Sequence, residues 1–277
     1  MTASRERLQF KRRIVVKIGS SSLTHSVTGN LNLLKMERLV RVLCDLKNQG
    51  MDVILVSSGA IAAGRKVLGL LERPKKMSLK QACAAAGQAN LMMIYQKLFY
   101  EYHQISGQVL MTKYSVMGEY SRTNIENTLE ELLALGVIPI VNENDTVATE
   151  EIDFSDNDRL SAFVTALVRA DLLILLSDID GLYTDDPSKN PAATFIPEVG
   201  KLSDHYRHMA KDSASNVGTG GMTAKLIAAE IATKSGADMV VTNGADMENI
   251  YRILKGEAVG TLFCADKDEN FDLKDSL

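Results

Sequence analysis

Two lysines, each tied to a glycine-rich or hydroxyl-rich stretch, are the residues best placed by type to do chemistry in this chain. Residues 218–225 read Gly-Thr-Gly-Gly-Met-Thr-Ala-Lys and run straight into the helical pattern of residues 226–234. A glycine-rich loop that opens a helix turns backbone N–H groups and the positive helix end toward an anion. Lys225, on the first turn, adds a mobile positive charge. Residues 15–22 read Val-Val-Lys-Ile-Gly-Ser-Ser-Ser, an apolar strand ending in Lys17 and a loop at Gly19. Two such loops suit a phosphoryl group neutralised from two sides, a reaction that needs positioning and charge stabilisation more than covalent help. The plainer alternatives are a solvated strand end for Lys17 and an ordinary turn for 218–225. Three glycines within four positions, however, have little use in a plain helix entry. No Walker sequence G-x-x-x-x-G-K-[ST] occurs, and Thr223 stands where the dinucleotide fingerprint needs its third glycine.

Acidic and hydroxyl residues supply the rest of a candidate site. Asp153, Asp156 and Asp158, with Asn157, precede an apolar helical pattern. Helix capping by Ser155 or Asp156 accounts for part of this cluster. A carboxylate between the two lysines would also fix both ammonium groups and reduce their mutual repulsion. Asp158 is the candidate, with Asp156 as an alternative. Ser58, Gly59 and Ala60 open another helix and suit a carboxylate bound through backbone N–H groups, or simple capping. Asp145 offers a charge to a substrate ammonium, or is a turn aspartate. His205 and His208, three apart, lack the further ligands of a convincing metal site, and no metal site is assigned.

These residues need a scaffold that brings them to one place. Short apolar runs recur at residues 14–18, 53–56, 108–111, 137–141, 172–176 and 239–241. Most are apolar throughout, which suits strands buried on both faces of a mainly parallel sheet. Helical spacing separates them. Leu33, Met36, Leu39, Val40, Leu43 and Leu46 share one face of a helix over 33–47, and residues 128–135, 159–169 and 222–234 behave alike. The expected fold is α/β, a three-layer αβα sandwich around a mainly parallel sheet. In such sheets ligands bind beyond the carboxyl ends of the strands. Lys17-Ile18-Gly19, Ser58-Gly59-Ala60, Asn142 to Asp145, and Ser177-Asp178 all fall there. The Met-, Leu-, Phe- and Tyr-rich residues 91–102 read as core or as an oligomer interface. Residues 184–197, with three prolines, read as a loop, and the charged residues 265–277 as a fraying tail.

Bulk properties narrow the classes. The 277 residues carry 31 basic and 35 acidic side chains, a formal net charge of -4, which argues against general nucleic-acid binding. Cys44, Cys83 and Cys264 are widely separated, favouring a reducing, cytoplasmic setting over a disulfide framework. The basic N-terminus has no apolar stretch of a secretion signal, and no run is long enough to span a bilayer, so no membrane association is expected.

Taken together the motifs resemble the amino acid kinase family. Val-Val-Lys-Ile-Gly-Ser-Ser (15–21), Ser-Ser-Gly-Ala-Ile-Ala-Ala-Gly (57–64), Asn-Glu-Asn-Asp-Thr-Val-Ala-Thr (142–149), Asp-Asn-Asp-Arg-Leu-Ser-Ala (156–162), Ser-Asp-Ile-Asp-Gly-Leu-Tyr-Thr (177–184) and Gly-Thr-Gly-Gly-Met-Thr-Ala-Lys (218–225) carry the resemblance in this order. The Asn-Glu-Asn-Asp and Asp-Asn-Asp motifs are similar to those of the members that phosphorylate glutamate. The resemblance implies ATP-dependent phosphorylation of the γ-carboxylate of L-glutamate, the first step of proline biosynthesis. It implies Lys17 and Lys225 as stabilisers of the transferring group and Asp158 as their organiser. Ser58, Gly59, Ala60, Asp145 and Asn157 would hold glutamate. Lys17, Gly19, Ser177, Asp178, Thr219, Gly220, Gly221, Met222, Thr223, Ala224 and Lys225 would face ATP, with Mg²⁺ held mainly by its phosphates. Further implications are L-proline as feedback inhibitor near residues 147–153, glutamate-5-semialdehyde dehydrogenase as a partner, and a homo-oligomer, dimer or tetramer. The expected organisation is a kinase domain over 1–265 and a charged tail over 266–277, without the PUA domain that many members carry. Sibling activities on aspartate, N-acetylglutamate, carbamate or UMP are the main alternatives. A nucleotide sensor would need the glycine loop but not both lysines and Asp158.

Overall fold

Apolar runs bounded by polar residues form strands that bury both faces. The computed structural model describes residues 2–147, 157–187, 189–203, 206 and 221–276. Its strands are β1 (Arg13–Ile18), β2 (Asp52–Ser57), β3 (Ser106–Met111), β4 (Ile138–Glu143), β5 (Leu172–Ser177), β6 (Leu182–Tyr183), β7 (Phe195–Ile196), β8 (Glu198–Val199), β9 (Asp238–Asn243) and β10 (Thr261–Phe263). The six apolar runs become β1 to β5 and β9, with ends moved by a residue or two. β4 and β5 are buried at every position. The chain divides into two compact units, Met1–Lys17 with Ser155–Leu277, and Ile18–Phe154. The crossings between them carry no proline- or glycine-rich linker, which is why they leave no mark in composition.

In the first unit the strand order is β1-β5-β9-β10-β8. β5 and β9 are parallel, from Leu172 opposite Asp238 to Ser177 opposite Asn243, whereas β10 runs antiparallel to β9. The helices Asn157–Leu167 and Met222–Lys234 pack against one another, and each brings its first turn to the candidate site. The N-terminal arm is fixed, and so is the tail expected to fray. The N-terminal arm buries Arg5, whose guanidinium donates to the carbonyls of Pro197, Glu257, Val259 and Gly260 at 2.7–2.9 Å. Arg7 and Lys11 pair with Asp238, a fully buried carboxylate at the start of β9. The tail does not simply fray, because Asp266 and Asp268 donate backbone N–H groups to the carbonyls of Thr233 and Lys234 at 3.0 Å. These satisfy acceptors that a helix end otherwise leaves open. The proline-rich stretch is closed by a short antiparallel pair, β6 with β7, with Tyr183 and Phe195 edge-on at 5.3 Å.

In the second unit β3, β4 and β2 are adjacent and parallel. The helix Leu33–Asn48 buries Met36, Leu39, Val40, Leu43 and Leu46, but Leu33 is exposed. Asn32 caps this helix by accepting from the Lys35 N–H at 3.1 Å, so Leu33 falls on the first, outward-facing position. The helices Ala60–Val67 and Met77–Glu101 cross at backbone contact through Gly64 and Gly87. A Cβ at Gly87 would lie 1.8 Å from the Ala60 carbonyl oxygen, and one at Gly64 would lie 1.7 Å from that of Cys83. Exposed glycine-to-alanine changes inside helices usually stabilise by roughly 0.5–1 kcal/mol. Here the sign reverses: Gly87→Ala is expected to destabilise by about 2 kcal/mol or more, as overpacking forces the helices apart. Chemical denaturation of the variant measures this directly.

Cys44, Cys83 and Cys264 are buried free thiols, and burial pushes the Cys44 thiol up to about 12. Among the described residues no helix is long and apolar enough to cross a membrane.

Candidate active site

Lys17 is the next-to-last residue of β1, Asp158 the second residue of the helix Asn157–Leu167, and Lys225 lies on the first turn of Met222–Lys234. The first unit brings all three side chains together. Lys17 Nζ lies 2.5 Å from Asp158 Oδ1, and Lys225 Nζ lies 3.1 Å from Asp158 Oδ2. One carboxylate thus holds both ammonium groups, one on each oxygen. Exposure is 7% for Lys17, 1% for Asp158 and 6% for Lys225, so the set is withdrawn from water. Burial alone would raise the Asp158 pKa. The charges of Lys17 and Lys225 and their hydrogen bonds outweigh it and hold the carboxyl below its ordinary range. Among the described residues the cluster joins one acid to two bases in a low-dielectric setting, where charge acts strongly on an incoming anion.

The surroundings suit such an anion. Gly221, which has no side chain to cap with, is the N-cap of Met222–Lys234. The Gly221 backbone is extended, at φ −60° and ψ 178°, and an added Cβ would meet nothing within 4 Å. Neither its conformation nor packing among the described residues requires glycine there. Met222 and Ala224 are half-buried and Thr223 is exposed. In the same unit β5 ends in Ser177, whose hydroxyl donates to Asp178 Oδ1 at 3.1 Å. Ser177 is buried and Asp178 exposed. Asn157 is half-buried beside Asp158. Thr219 and Gly220, the cluster members Asp153 and Asp156, residues 148–153 of the expected inhibitor loop, and the pair His205 and His208 lie outside the described residues.

The second unit holds the other candidates. Gly19 caps the short helix Ser20–Leu23. Gly59 adopts φ 109°, a left-handed conformation that side chains resist, and opens the helix Ala60–Val67 without a side-chain cap. Ser58, half-buried, donates its N–H to the Ile18 carbonyl at 3.1 Å. Behind this loop Ser57 and Tyr95 share a fully buried 2.8 Å hydrogen bond. Asp145 is half-buried in the turn after β4, where the Asn144 N–H donates to Met111 at 2.7 Å. Asn142, at the end of β4, donates through Nδ2 to Gln88 Oε1 at 2.9 Å. Tyr95 lies in the run 91–102 expected to be core or an oligomer interface, and is fully buried, whereas Gln88 was not singled out in the sequence. The signal for Gln88 was a polar side chain next to Gly87 in an alanine-rich run.

A buried acid shared by two lysines, at the carboxyl end of β1 and beside the start of the helix Met222–Lys234, suits phosphoryl transfer. The sequence matches the amino acid kinase family over residues 12–243, and the chain belongs to that family. Among its relatives is a glutamate 5-kinase from Carboxydothermus hydrogenoformans, 55% identical over 96% of this chain and 72% of the relative. Another, from Clostridium acetobutylicum, is 51% identical over 95% of this chain and 98% of the relative. Solved structures share the fold at lower identity. A UMP kinase from Bacillus anthracis superposes with a TM-score of 0.62 at 16% identity, over 92% of this chain and 97% of its own. An isopentenyl phosphate kinase from T. acidophilum reaches 0.63 at 20% identity, over 91% and 99%.

Proposed function

We propose that this chain transfers the γ-phosphoryl group of ATP to the γ-carboxylate of L-glutamate, giving L-glutamyl 5-phosphate and ADP, the first step of proline biosynthesis. The observation that carries the reading is the buried Lys17–Asp158–Lys225 set in a chain so similar to glutamate 5-kinases. A γ-carboxylate oxygen attacks the γ-phosphorus while the bond to the ADP oxygen breaks. Negative charge spreads over the equatorial oxygens as this happens. Lys17 and Lys225 are assigned to that charge, and Asp158 holds both in place so that no reorganisation is needed at the moment of transfer. The helix start from Gly221 to Lys225, with Thr219, Gly220, Gly19, Ser177 and Asp178, is assigned to the nucleotide. Both oxygens of Asp158 face ammonium groups, so Mg²⁺ is assigned to the ATP phosphates rather than to a protein cage, where it would neutralise phosphate charge.

Ser58, Gly59 and Ala60 are assigned to the α-carboxylate of glutamate through backbone N–H groups, Asp145 to its ammonium, and Asn157 to glutamate as well. An acyl phosphate is labile, which supports glutamate-5-semialdehyde dehydrogenase as its consumer, in the cytoplasm. L-Proline as inhibitor at or beside the glutamate site belongs to the same reading. So does a homo-oligomer, supported by Met93 and Tyr100, which stay exposed on a helix whose Leu91, Met92, Tyr95 and Phe99 are core. The kinase domain is taken as residues 1–265.

ADP release with L-glutamate, L-aspartate, N-acetyl-L-glutamate and UMP offered separately tests the substrate. Glutamate is expected to be preferred, and preference for any other substrate overturns the reading. Asp145→Ala is expected to raise the KM for glutamate by about 10- to 100-fold, the worth of a hydrogen bond to a charged group. The KM for ATP should stay within a few-fold. Equal effects on both would remove Asp145 from this role.

A further inference from the structure

Gln88 lies on the helix Met77–Glu101 and is nine-tenths buried. Its Oε1 accepts from Asn142 Nδ2, while its Nε2 is sealed from solvent and meets no acceptor among the described residues. Native structures rarely leave a buried amide donor in that condition, and a group that does so invites an explanation.

The neighbourhood supplies one. Val56 in β2 stands opposite Val141 in β4, and the residues that follow them, Ser57 and Asn142, are the last of β2 and the next-to-last of β4. Asn142 is the partner of Gln88, and Ser57 leads into Ser58, Gly59 and Ala60. Gly87, one residue before Gln88, packs against the carbonyl of Ala60. Asp145 follows Asn142 by three residues. Gln88 therefore stands among the residues assigned to the amino-acid end of glutamate. With Oε1 accepting from Asn142 Nδ2, the Gln88 amide keeps its Nε2–H group as the donor left over.

We propose that Gln88 is a further binding residue for the amino-acid substrate, its Nε2–H donating to the α-carboxylate, with Asn142 holding the other end of its amide. The inference rests on the reading of L-glutamate as substrate. A donor pair complements a carboxylate and not an ammonium, so Gln88 reads the α-carboxylate while Asp145 reads the amine. The same donor, left without an acceptor, disfavours ligands that lack that carboxylate.

The test compares L-glutamate with 4-aminobutyrate, which keeps the amine and the reacting carboxylate but lacks the α-carboxylate. Gln88→Met keeps the length of the side chain and removes both ends of the amide. It is expected to raise the KM for glutamate about tenfold or more. The Ki of 4-aminobutyrate as a competitive inhibitor, and the KM for ATP, should stay within about twofold. Equal weakening of glutamate and 4-aminobutyrate would mean that Gln88 only supports Asn142, and would overturn the proposal. A second measurement uses the wild-type chain and needs no variant to fold. The side-chain amide resonances of Gln88 should shift on addition of L-glutamate and not on addition of 4-aminobutyrate. Unmoved resonances in an enzyme that phosphorylates glutamate would overturn the proposal alone. A wild-type protein inactive on glutamate would overturn the substrate reading and the proposal with it.

Discussion

Replacing Lys225 by alanine is expected to cut turnover on the order of 100-fold or more, and replacing Lys17 to do the same. The magnitude follows from loss of one preorganised charge aimed at the transferring group, about 3–4 kcal/mol of transition-state stabilisation. The fold should survive either change, because Asp158 keeps one ammonium partner at 2.5 Å or 3.1 Å. The KM for ATP should change far less than kcat, since the ground-state phosphates are also assigned to the helix start at Gly221. Arginine is not expected to rescue either position, because a planar fork cannot reproduce a point charge held on one carboxylate oxygen. Steady-state kinetics of Lys17→Ala, Lys225→Ala and Lys225→Arg check this. Turnover within a few-fold of wild type in either alanine variant would remove that lysine from the chemistry.

Asp158→Asn is expected to do more damage to stability than either lysine change, and comparable or greater damage to turnover. Both ammonium groups are almost fully buried, and the neutral amide removes the carboxylate charge that they share. Breaking a buried ion pair in this way costs about 3–5 kcal/mol. ATP brings its own negative charge to the same place, so its affinity should be no weaker than in wild type even as turnover collapses. Thermal unfolding with and without ATP, beside kinetics, separates the two effects. A pH dependence accompanies them. The folded Asp158 carboxyl titrates below its ordinary value of 3.8, so the unfolded chain takes up the proton first as pH falls. The stabilisation by Asp158 is complete above that value and is lost as pH drops through the lower folded value. The stability gap between wild type and Asp158→Asn should therefore narrow in acid and stay constant above about pH 5. A gap that widens in acid would contradict the assigned charge state.

The strands and the charged site were legible in the sequence for the same reason. Runs such as residues 172–176 are apolar throughout because both faces are covered, and lysine or aspartate at the ends of such patterns stands out. The helix Met222–Lys234 was read with its observed bounds, since Gly221 punctuates its start and Gly236 follows its end. Leu33 was misplaced onto the buried face because periodicity cannot say where the Asn32 cap begins the helix. The helix Met77–Glu101 was only partly seen. Its first half buries Cys83, Ala84, Gly87 and Gln88 at a crossing close enough to touch backbone, and its second half buries Leu91, Met92, Tyr95 and Phe99. Small residues and a glycine in the helix interior weaken the periodic signal that large apolar residues give. β8 and β10, two and three residues long, are too short to show a period. The fixing of Arg5 and of the tail at Asp266 and Asp268 depends on carbonyls distant in sequence, which no local pattern reveals.

The most direct measurement traps the product chemically. The purified protein is incubated with ATP, Mg²⁺ and hydroxylamine, and L-glutamate, L-aspartate or N-acetyl-L-glutamate is offered in parallel. Hydroxylamine converts an acyl phosphate into a coloured hydroxamate. Hydroxamate with L-glutamate, lost in Lys17→Ala and Lys225→Ala, is the expected result. Hydroxamate with another acid and not with L-glutamate, or none while ATP still binds, would contradict the assignment.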